Sequence, residues 1–250
     1  MTLRVMTYNV HRCVGVDKRL DVERVAEVIA AARCDIVCLQ ELDVGRRRTK
    51  HVDQAHRLAE LLGMRSHFHA ALHVEEERYG DAILTALPEK LVRAGPLPHY
   101  RKIKGLETRG ALWVEVEALG AKIQIINTHL GLVPAEQQAQ AAALIGDWMA
   151  GDAWTAPAIL LGDFNAAPYT RTYRMLARAL RDAQHGLPFV PVCTFPSKFP
   201  FLRIDHAFLA GPWKVRKVET PYSGFARVAS DHLPLVVELE LQAAPAKAAA

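Results

Sequence analysis

Five short polar motifs in this chain contain residue types that bind metal ions and activate water. They are TYNVH with Asn9, LQE with Glu41, LLGDFN with Asp163 and Asn165, RIDHAF with Asp205, and SDHLP with Asp231 and His232. Each lies at one end of a hydrophobic run that is typical of a buried strand. Acids and amides delivered from one edge of a packed sheet would form an oxygen-rich pocket, which Mg²⁺ and Mn²⁺ prefer. With histidine added, such a pocket has the groups needed for metal-assisted hydrolysis of a phosphate ester.

The GDFN motif is the most informative of the five. Gly162 permits a tight exit from the strand AILL, after which Asp163 and Asn165 point to the same side. Asp163 is suited to hold and deprotonate an attacking water. Asn165 is suited to hydrogen-bond that water or a phosphate oxygen.

The SDHLP motif pairs an acid with an imidazole. Asp231 is a candidate metal ligand, and a protonated His232 would donate to a phosphate oxygen or to the leaving group. Asp205 is the candidate carboxylate that raises the basicity of His232. An Asp-His pair also occurs in serine triads, but the chain has no GxSxG motif to supply the nucleophile.

Asn9 and Glu41 are the remaining candidates at strand ends. An amide at the position of Asn9 would orient a carboxylate ligand or contact the metal, although a lone Asn is more often a turn or cap residue. Glu41 leaves the apolar run IVCLQ, and a buried carboxylate needs a partner. A divalent cation is one such partner, and the arginines at 46–48 are the alternative.

His129 closes another strand in INTHL, where a lone histidine is usually structural. Glu77 and Tyr79, which precede GDAIL, offer a carboxylate partner and a phenol for phosphate. His67, His69 and His73 lie at every second or fourth position, a spacing that resembles that of zinc ligands. Because no matching Cys or second HxH accompanies them, Mg²⁺ or Mn²⁺ is the preferred metal.

Composition favours a globular protein. The chain has 250 residues, half of them hydrophobic, which supports a large core and excludes a disordered chain. No apolar run approaches the about 18 residues of a membrane-spanning helix, and we find no signal peptide, so a cytoplasmic location is expected. Four cysteines fit reduced, mostly buried thiols. The net charge of +4 tolerates a polyanionic partner without requiring one.

The element pattern predicts an α+β layered fold, with sheets packed face to face and helices outside. Helices are predicted from Asp21 to about Ala32, from His56 to Leu62, from Pro134 to Met149 and from Thr170 to Leu180. Strands are predicted over Ser66–Leu72, Asp81–Leu87, Ala111–Ala118 and Lys122–Thr128, the last two joined in a hairpin. We expect one domain over residues 1–242, a disordered Ala-rich tail over 243–250, and a monomer.

The order of the motifs, from TYNVH through SDHLP, resembles the endonuclease/exonuclease/phosphatase superfamily. The combination of GDFN, RIDHAF and SDHLP carries the resemblance. It implies a four-layer α/β/β/α sandwich with the site at one end of the two sheets and Mg²⁺ or Mn²⁺ as cofactor. The implied roles are Asn9, Glu41 and Asp231 around the metal, Asp163 activating a water positioned by Asn165, His129 and His232 stabilising the scissile phosphate, Asp205 orienting His232, and Glu77 pairing with His129.

Two departures from the family pattern concern the substrate. YGDAIL carries Asp81 where many small bacterial members carry Asn, and the chain lacks a long insertion of the kind that grips DNA in abasic-site enzymes. A phosphodiester in DNA or RNA is the leading substrate, and a phospholipid or inositol phosphate is the alternative. The aromatic loop FVPVCTFPSKFPF suits either, by stacking on bases or by entering a membrane surface. A catalytically silent binding module of the same fold is a third possibility.

Overall fold

Two six-stranded sheets form the centre of the molecule. The computed structural model describes residues 1–74, 77–100, 106–150, 156–187 and 191–242, so the predicted disordered tail lies outside the described residues. The strands are β1 (Leu3–Asn9), β2 (Ile36–Val44), β3 (Arg65–Val74), β4 (Glu77–Thr85), β5 (Glu89–Pro96), β6 (Gly110–Ala118), β7 (Ala121–His129), β8 (Ala158–Asp163), β9 (Arg181–Asp182), β10 (Asp205–Ala210), β11 (Trp213–Glu219) and β12 (Leu235–Leu241). The helices are α1 (Val22–Ala32), α2 (Gln54–Leu62), α3 (Pro134–Ala143), α4 (Arg171–Ala179) and α5 (Ala226–Ala229). The sheet orders are β11-β12-β1-β2-β4-β3 and β5-β6-β7-β8-β10-β9.

The alternation of side chains along each strand builds three hydrophobic cores. In β1, Leu3 and Val5 face the second sheet, whereas Met6 and Tyr8 face helices α1 and α2. On the far side, α3 and α4 cover the second sheet around strands β7, β8 and β10. The resulting layers are helices, sheet, sheet and helices, which confirms the predicted four-layer sandwich.

Side-chain and glycine caps set the helix boundaries, and the second helix begins at Gln54 rather than at the predicted His56. Asp21 accepts a hydrogen bond from the Arg24 backbone N–H and begins α1, and Asp53 does the same for α2. Gly63 ends α2 with a φ of 63°. The helix predicted from Pro134 to Met149 differs, because its α-helical part ends at Ala143 and a π-helical turn follows over Leu144–Trp148.

Strand assignments also differ from the sequence prediction at β4 and β5, and the two-residue β9 was not predicted. β4 begins at Glu77 rather than Asp81, since its polar first residues pair with the end of β2 and break the apolar pattern. β5 was not predicted at all. It is an edge strand bonded only to β6 and mostly exposed, so it shows no buried face in its sequence.

The topology brings the polar motifs to one end of the two sheets. β1 and β2 are parallel, as are β7 and β8, so each pair ends at the same edge. His129 lies opposite Asp163, and Asp205 at the start of the antiparallel β10 also lies opposite Asp163. A bulge in β2 between Leu39 and Leu42 turns Glu41 out of the ladder with a φ of 62°.

None of the helices in the described residues is both long and apolar enough to cross a membrane.

Candidate active site

A cleft of about 750 Å³ opens at this end of the sheets. Its walls include most of the side chains predicted from the sequence, namely Glu41, Tyr79, His129, Asp163, Asn165, Asp231 and His232. Asn9 and Asp205 lie directly behind the cleft wall, hydrogen-bonded to Asp163 and His232 respectively. Residues from distant parts of the chain therefore converge on one site.

The centre of the site is a buried chain of Asp205, His232 and Asp163. His232 Nδ1 lies 2.9 Å from Asp205 Oδ2, and its Nε2 lies 3.6 Å from Asp163 Oδ2. Burial disfavours the imidazolium, but the carboxylates of Asp205 and Asp163 outweigh this and raise the pKa of His232 to about 10. Thr194 Oγ donates to the same Asp205 oxygen, and the Phe195 ring packs against His232. His232 is thus held as a cation in a fixed orientation.

Asp163 is positioned as a base. It is only 1% exposed, and burial raises its pKa to about 7 against the lowering effect of the His232 charge. Asn9 Nδ2 donates to its Oδ2 at 3.0 Å, and the Asn165 backbone N–H donates to its Oδ1 at 2.9 Å. A Cβ at Gly162 would lie 1.9 Å from the Thr128 carbonyl oxygen, so this close approach of β7 and β8 requires glycine.

Glu41 and Asp231 provide carboxylates that fit a divalent cation. Within the described residues, Glu41 accepts only from Asn9 Nδ2 at 3.0 Å, and no arginine or lysine pairs with either acid. The arginines at 46–48 were the predicted alternative partner for Glu41, but Arg46 pairs with Glu77 and Arg48 with Asp43. Because neither acid has an arginine or lysine partner among the residues described, a bound cation would compensate the negative charge of the pair. The donor set of carboxylates with an adjacent amide suits Mg²⁺ or Mn²⁺.

Asp163, Asp205 and His232 form a second cluster that could bind a metal, since they offer ligand atoms within 4.8 Å of one another. Asp205 Oδ2 is already the acceptor for both His232 Nδ1 and Thr194 Oγ. Asp205 Oδ1 has no hydrogen-bond partner in the described part of the chain and remains free, but ligation by His232 Nε2 would require this ring to lose the proton that the neighbouring carboxylates stabilise. We therefore favour Glu41 and Asp231, with Asn9 beside them, as the residues that would hold the ion.

The structure does not bring Glu77 to His129. Glu77 instead accepts from Arg46 Nε at 3.2 Å and from the Arg47 backbone N–H at 3.0 Å. Its place beside His129 is taken by Arg109, whose Nη1 lies 3.1 Å from His129 Nδ1. The reason is topological: β6, which follows Arg109, pairs with β7, whereas Glu77 at the start of β4 faces the loop after β2.

Of the basic residues at 46–48, Arg48 lines the cleft. Its guanidinium makes two hydrogen bonds of 2.7 Å to the buried Asp43 and lies 5.4 Å from the Tyr79 ring centre. Burial, followed by the charge of Glu41, raises the pKa of the Tyr79 phenol, so this hydroxyl stays protonated and able to donate. Tyr79 therefore lies at the cleft wall, as predicted from the sequence, where its hydroxyl can donate to a phosphate.

Sequence reasoning missed Arg109 and Tyr169 among the cleft residues, whereas it made Arg12 a candidate for the pocket rim. Arg109 lies in ETRGAL, and its position directly before a strand that pairs with INTH was the available signal. Arg12 lies two residues beyond the end of TYNV, in a turn where three successive non-glycine residues have positive φ angles, including 59° at Arg12. Gln54 Nε2 donates to the Arg12 carbonyl at 2.6 Å and so holds this strained turn.

Asp81, the departure noted in YGDAIL, is buried close to the site. Burial raises its pKa to about 7, against the lowering effect of the Arg109 charge. This carboxyl therefore has a weaker tendency to ionise than an exposed aspartate has.

Comparison with known proteins identifies the family. The sequence profile of the Endonuclease/Exonuclease/phosphatase family matches residues 6–232, and the chain belongs to this family. It is 27% identical over 262 residues to YbhP of Escherichia coli K12, covering 96% of this chain and 97% of that protein. An endonuclease/exonuclease/phosphatase structure from Beutenbergia cavernae is 26% identical and has a TM-score of 0.77, covering 98% of this chain and 73% of that chain.

The fold is shared more widely. The human nocturnin catalytic domain, solved with a bound sulfate anion, is 24% identical with a TM-score of 0.70. That likeness covers 96% of this chain and 95% of the nocturnin chain. Family membership supports phosphoester hydrolysis and leaves the substrate open.

Proposed function

We propose that this protein is a Mg²⁺- or Mn²⁺-dependent phosphodiesterase that uses an activated water for in-line attack, with nucleic acid as its substrate. The observation that carries the proposal is the buried Asp205–His232–Asp163 chain, which opens onto a cleft that also presents Glu41 and Asp231. A base and a cation, 3.6 Å apart, are thereby held side by side at the cleft, where both could face the same phosphate.

In this proposal Asp163 accepts a proton from the attacking water, because its raised pKa makes it an effective base near neutral pH. Asn165 holds that water or a phosphate oxygen. The His232 cation donates from Nε2 to an oxygen on which negative charge develops, while Asp205 fixes its ring. A metal ion held by Glu41 and Asp231, with Asn9 adjacent, would supply Lewis-acid stabilisation of the phosphoryl oxygens.

Cationic and aromatic groups at the cleft favour a nucleic acid. Arg12 lines the cleft and, within the described residues, contacts no carboxylate, so its charge is available to a phosphate. Arg48 lies on the same wall. Tyr169 also lines the cleft and is 77% exposed, as expected of a ring that stacks on a base.

A phospholipid substrate is favoured by one feature only. Phe199 and Phe201 are 74% and 69% exposed on the loop that follows the cleft residue Phe195. Such rings suit insertion at a membrane surface. The two substrates differ in salt response, because phosphate contacts along a nucleic acid release counterions.

The test is a substrate panel with Mg²⁺, Mn²⁺ or a chelator. It includes bis(p-nitrophenyl) phosphate, p-nitrophenyl phosphate, plasmid DNA, RNA and phospholipid vesicles. Asp163→Asn serves as the blank, and Asp147→Asn, at an exposed aspartate of the π-helical turn, is the matched control. We expect metal-dependent diester cleavage that falls steeply as salt rises from roughly 50 to 200 mM. Weak salt dependence with stimulation by vesicles would favour the lipid, and inactivity on every substrate would favour a silent binding module.

A further inference from the structure

His129 lies between two hydrogen-bond donors. Arg109 Nη1 is 3.1 Å from its Nδ1, and Asn165 Nδ2 is 3.1 Å from its Nε2. A neutral imidazole has one acceptor nitrogen, and an imidazolium has none. Only one of the two contacts can therefore be a hydrogen bond, and that contact decides which ring nitrogen carries the proton.

The contact with Arg109 is the stronger of the two. A guanidinium is always protonated and cannot accept, and its bond to the imidazole is charge-assisted. The Asn165 amide already donates from Nδ2 to the Leu130 carbonyl at 3.1 Å. An acceptor also exists on the other side of the ring, since Asp163 Oδ2 lies 3.6 Å from His129 Nε2.

The fold holds Arg109 in this place. The residue is 7% exposed, its carbonyl accepts from the Leu97 backbone N–H at 2.8 Å, and its Nη2 pairs with Glu107 at 3.2 Å. A Cβ at the following Gly110 would lie 2.6 Å from the His69 ring and 2.9 Å from the Gly95 carbonyl oxygen. The backbone that carries Arg109 is therefore packed too tightly to move away from His129.

We propose that Arg109 is a positioning residue that keeps His129 neutral, with its proton on Nε2 and facing the cleft. The catalytic consequence rests on the proposed function: the Nε2–H would donate to a phosphate oxygen. A carboxylate partner such as the predicted Glu77 would impose the opposite tautomer, because it would require a proton on Nδ1.

The two histidines of the site differ in their partners. His129 faces the Arg109 guanidinium at Nδ1, and burial together with the charges of Arg109 and His232 keeps the pKa of His129 well below its usual range. His232 instead lies between two carboxylates, with Nδ1 2.9 Å from Asp205 Oδ2 and Nε2 3.6 Å from Asp163 Oδ2. His129 would therefore serve as a neutral donor that does not compete with Asp163 for the proton of the water.

The test is long-range ¹H–¹⁵N correlation NMR on protein labelled with ¹⁵N-histidine, with His129 assigned from the spectrum of His129→Gln. We expect the wild-type ring to carry its proton on Nε2. A proton on Nδ1 in the wild-type protein would overturn the proposal. The tautomer is read from the wild-type protein, and the measurement needs no activity.

Variants of Arg109 and Asn165 test which of the two residues sets the His129 tautomer. Arg109→Lys retains a cationic donor and should keep the Nε2–H tautomer, whereas Arg109→Met should shift the proton to Nδ1, since Asn165 would then be the remaining donor. Asn165→Ala should leave the wild-type tautomer unchanged. An unaltered tautomer in a folded Arg109→Met protein, or a switch in Asn165→Ala, would contradict the assignment.

Activity gives a second readout. We expect Arg109→Met to lower kcat roughly 100-fold with a smaller change in KM, because a misplaced donor affects the transition state most. Arg109→Lys should recover part of that loss. If the tautomer is as expected but no phosphoester is cleaved, the proposed function fails while the assignment of Arg109 stands.

Discussion

Replacing Asp205 with asparagine should lower the pKa of His232 and move the alkaline limit of activity downward. The bond from His232 Nδ1 to Asp205 Oδ2 is 2.9 Å long, and both side chains are buried. A charge-assisted bond of this kind contributes about 1.5–3 kcal/mol, which corresponds to about one to two pKa units. The pKa of about 10 for His232 should therefore fall by that amount, to about 8 or 9.

The sign follows from which form of His232 acts. Activity needs the protonated ring, so it is lost as the pH rises through the pKa of His232, while ionisation of Asp163 near pH 7 sets the acid limit. We expect kcat/KM for bis(p-nitrophenyl) phosphate with Mg²⁺ to rise through about pH 7 and then to stay level in the wild-type protein up to about pH 9.5. In Asp205→Asn it should decline about one to two pH units earlier.

Thr194→Val is the matched control. Thr194 Oγ donates to the same Asp205 oxygen, so this variant perturbs the contact while keeping the carboxylate charge. Its alkaline limit should not move downward. NMR titration of His232 would measure the same pKa without turnover. If Asp205→Asn and the wild-type protein share one alkaline limit and one His232 pKa, the carboxylate does not control this ring.

Three further outcomes follow from the site and the core. Asp163→Asn should reduce kcat on the order of 100-fold or more, as expected for loss of a general base, and near-normal turnover would mean that the water is activated elsewhere. Glu41→Gln should raise the Mg²⁺ concentration for half-maximal activity roughly 10-fold or more. Glu27→Gln, at an exposed position of α1, is the control and should not change it. If Glu41→Gln and the wild-type protein gave identical Mg²⁺ titration curves, Glu41 would not be a metal ligand. Burial, then the Arg203 charge, lowers the pKa of His206 to about 4. Only the unfolded state then takes up a proton as the pH falls from about 6.5 to 4, so up to about 3 kcal/mol of stability is lost in that range. His206→Gln should flatten this part of the denaturant-measured stability curve, and an unchanged slope would exclude His206 as the cause.

The sequence was sufficient for the layers, and it named most of the side chains that line the cleft, because those signals are local. Each polar motif adjoins one end of an apolar strand, and the order of strands then brings Asn9, Glu41, His129 and Asp163 to one end of the sandwich. The helix cap at Asp21 is equally local. The edge strand β5 was not predicted because most of its residues are exposed, so its sequence lacks the apolar pattern of a buried strand.

Partnerships between distant charged residues were harder to predict. His129 needed a partner, and Glu77 was chemically suitable, but the pairing of β6 with β7 delivers Arg109 instead. Arg46 pairs with Glu77, to which the Arg47 backbone N–H also donates, while Arg48 pairs with Asp43. The pairing of charged side chains depends on strand register and on the path of the loops. Neither can be inferred from the residue spacing within a single motif.

The most direct test of the metal-binding cleft is an anomalous difference map from crystals soaked in Mn²⁺. We expect one strong peak within coordination distance of the Glu41 and Asp231 carboxylates, next to Asn9, with the His232–Asp205 hydrogen bond intact. A peak coordinated instead by His232 and Asp163, or no peak in the cleft at saturating Mn²⁺, would contradict the proposed division between metal ligands and catalytic groups.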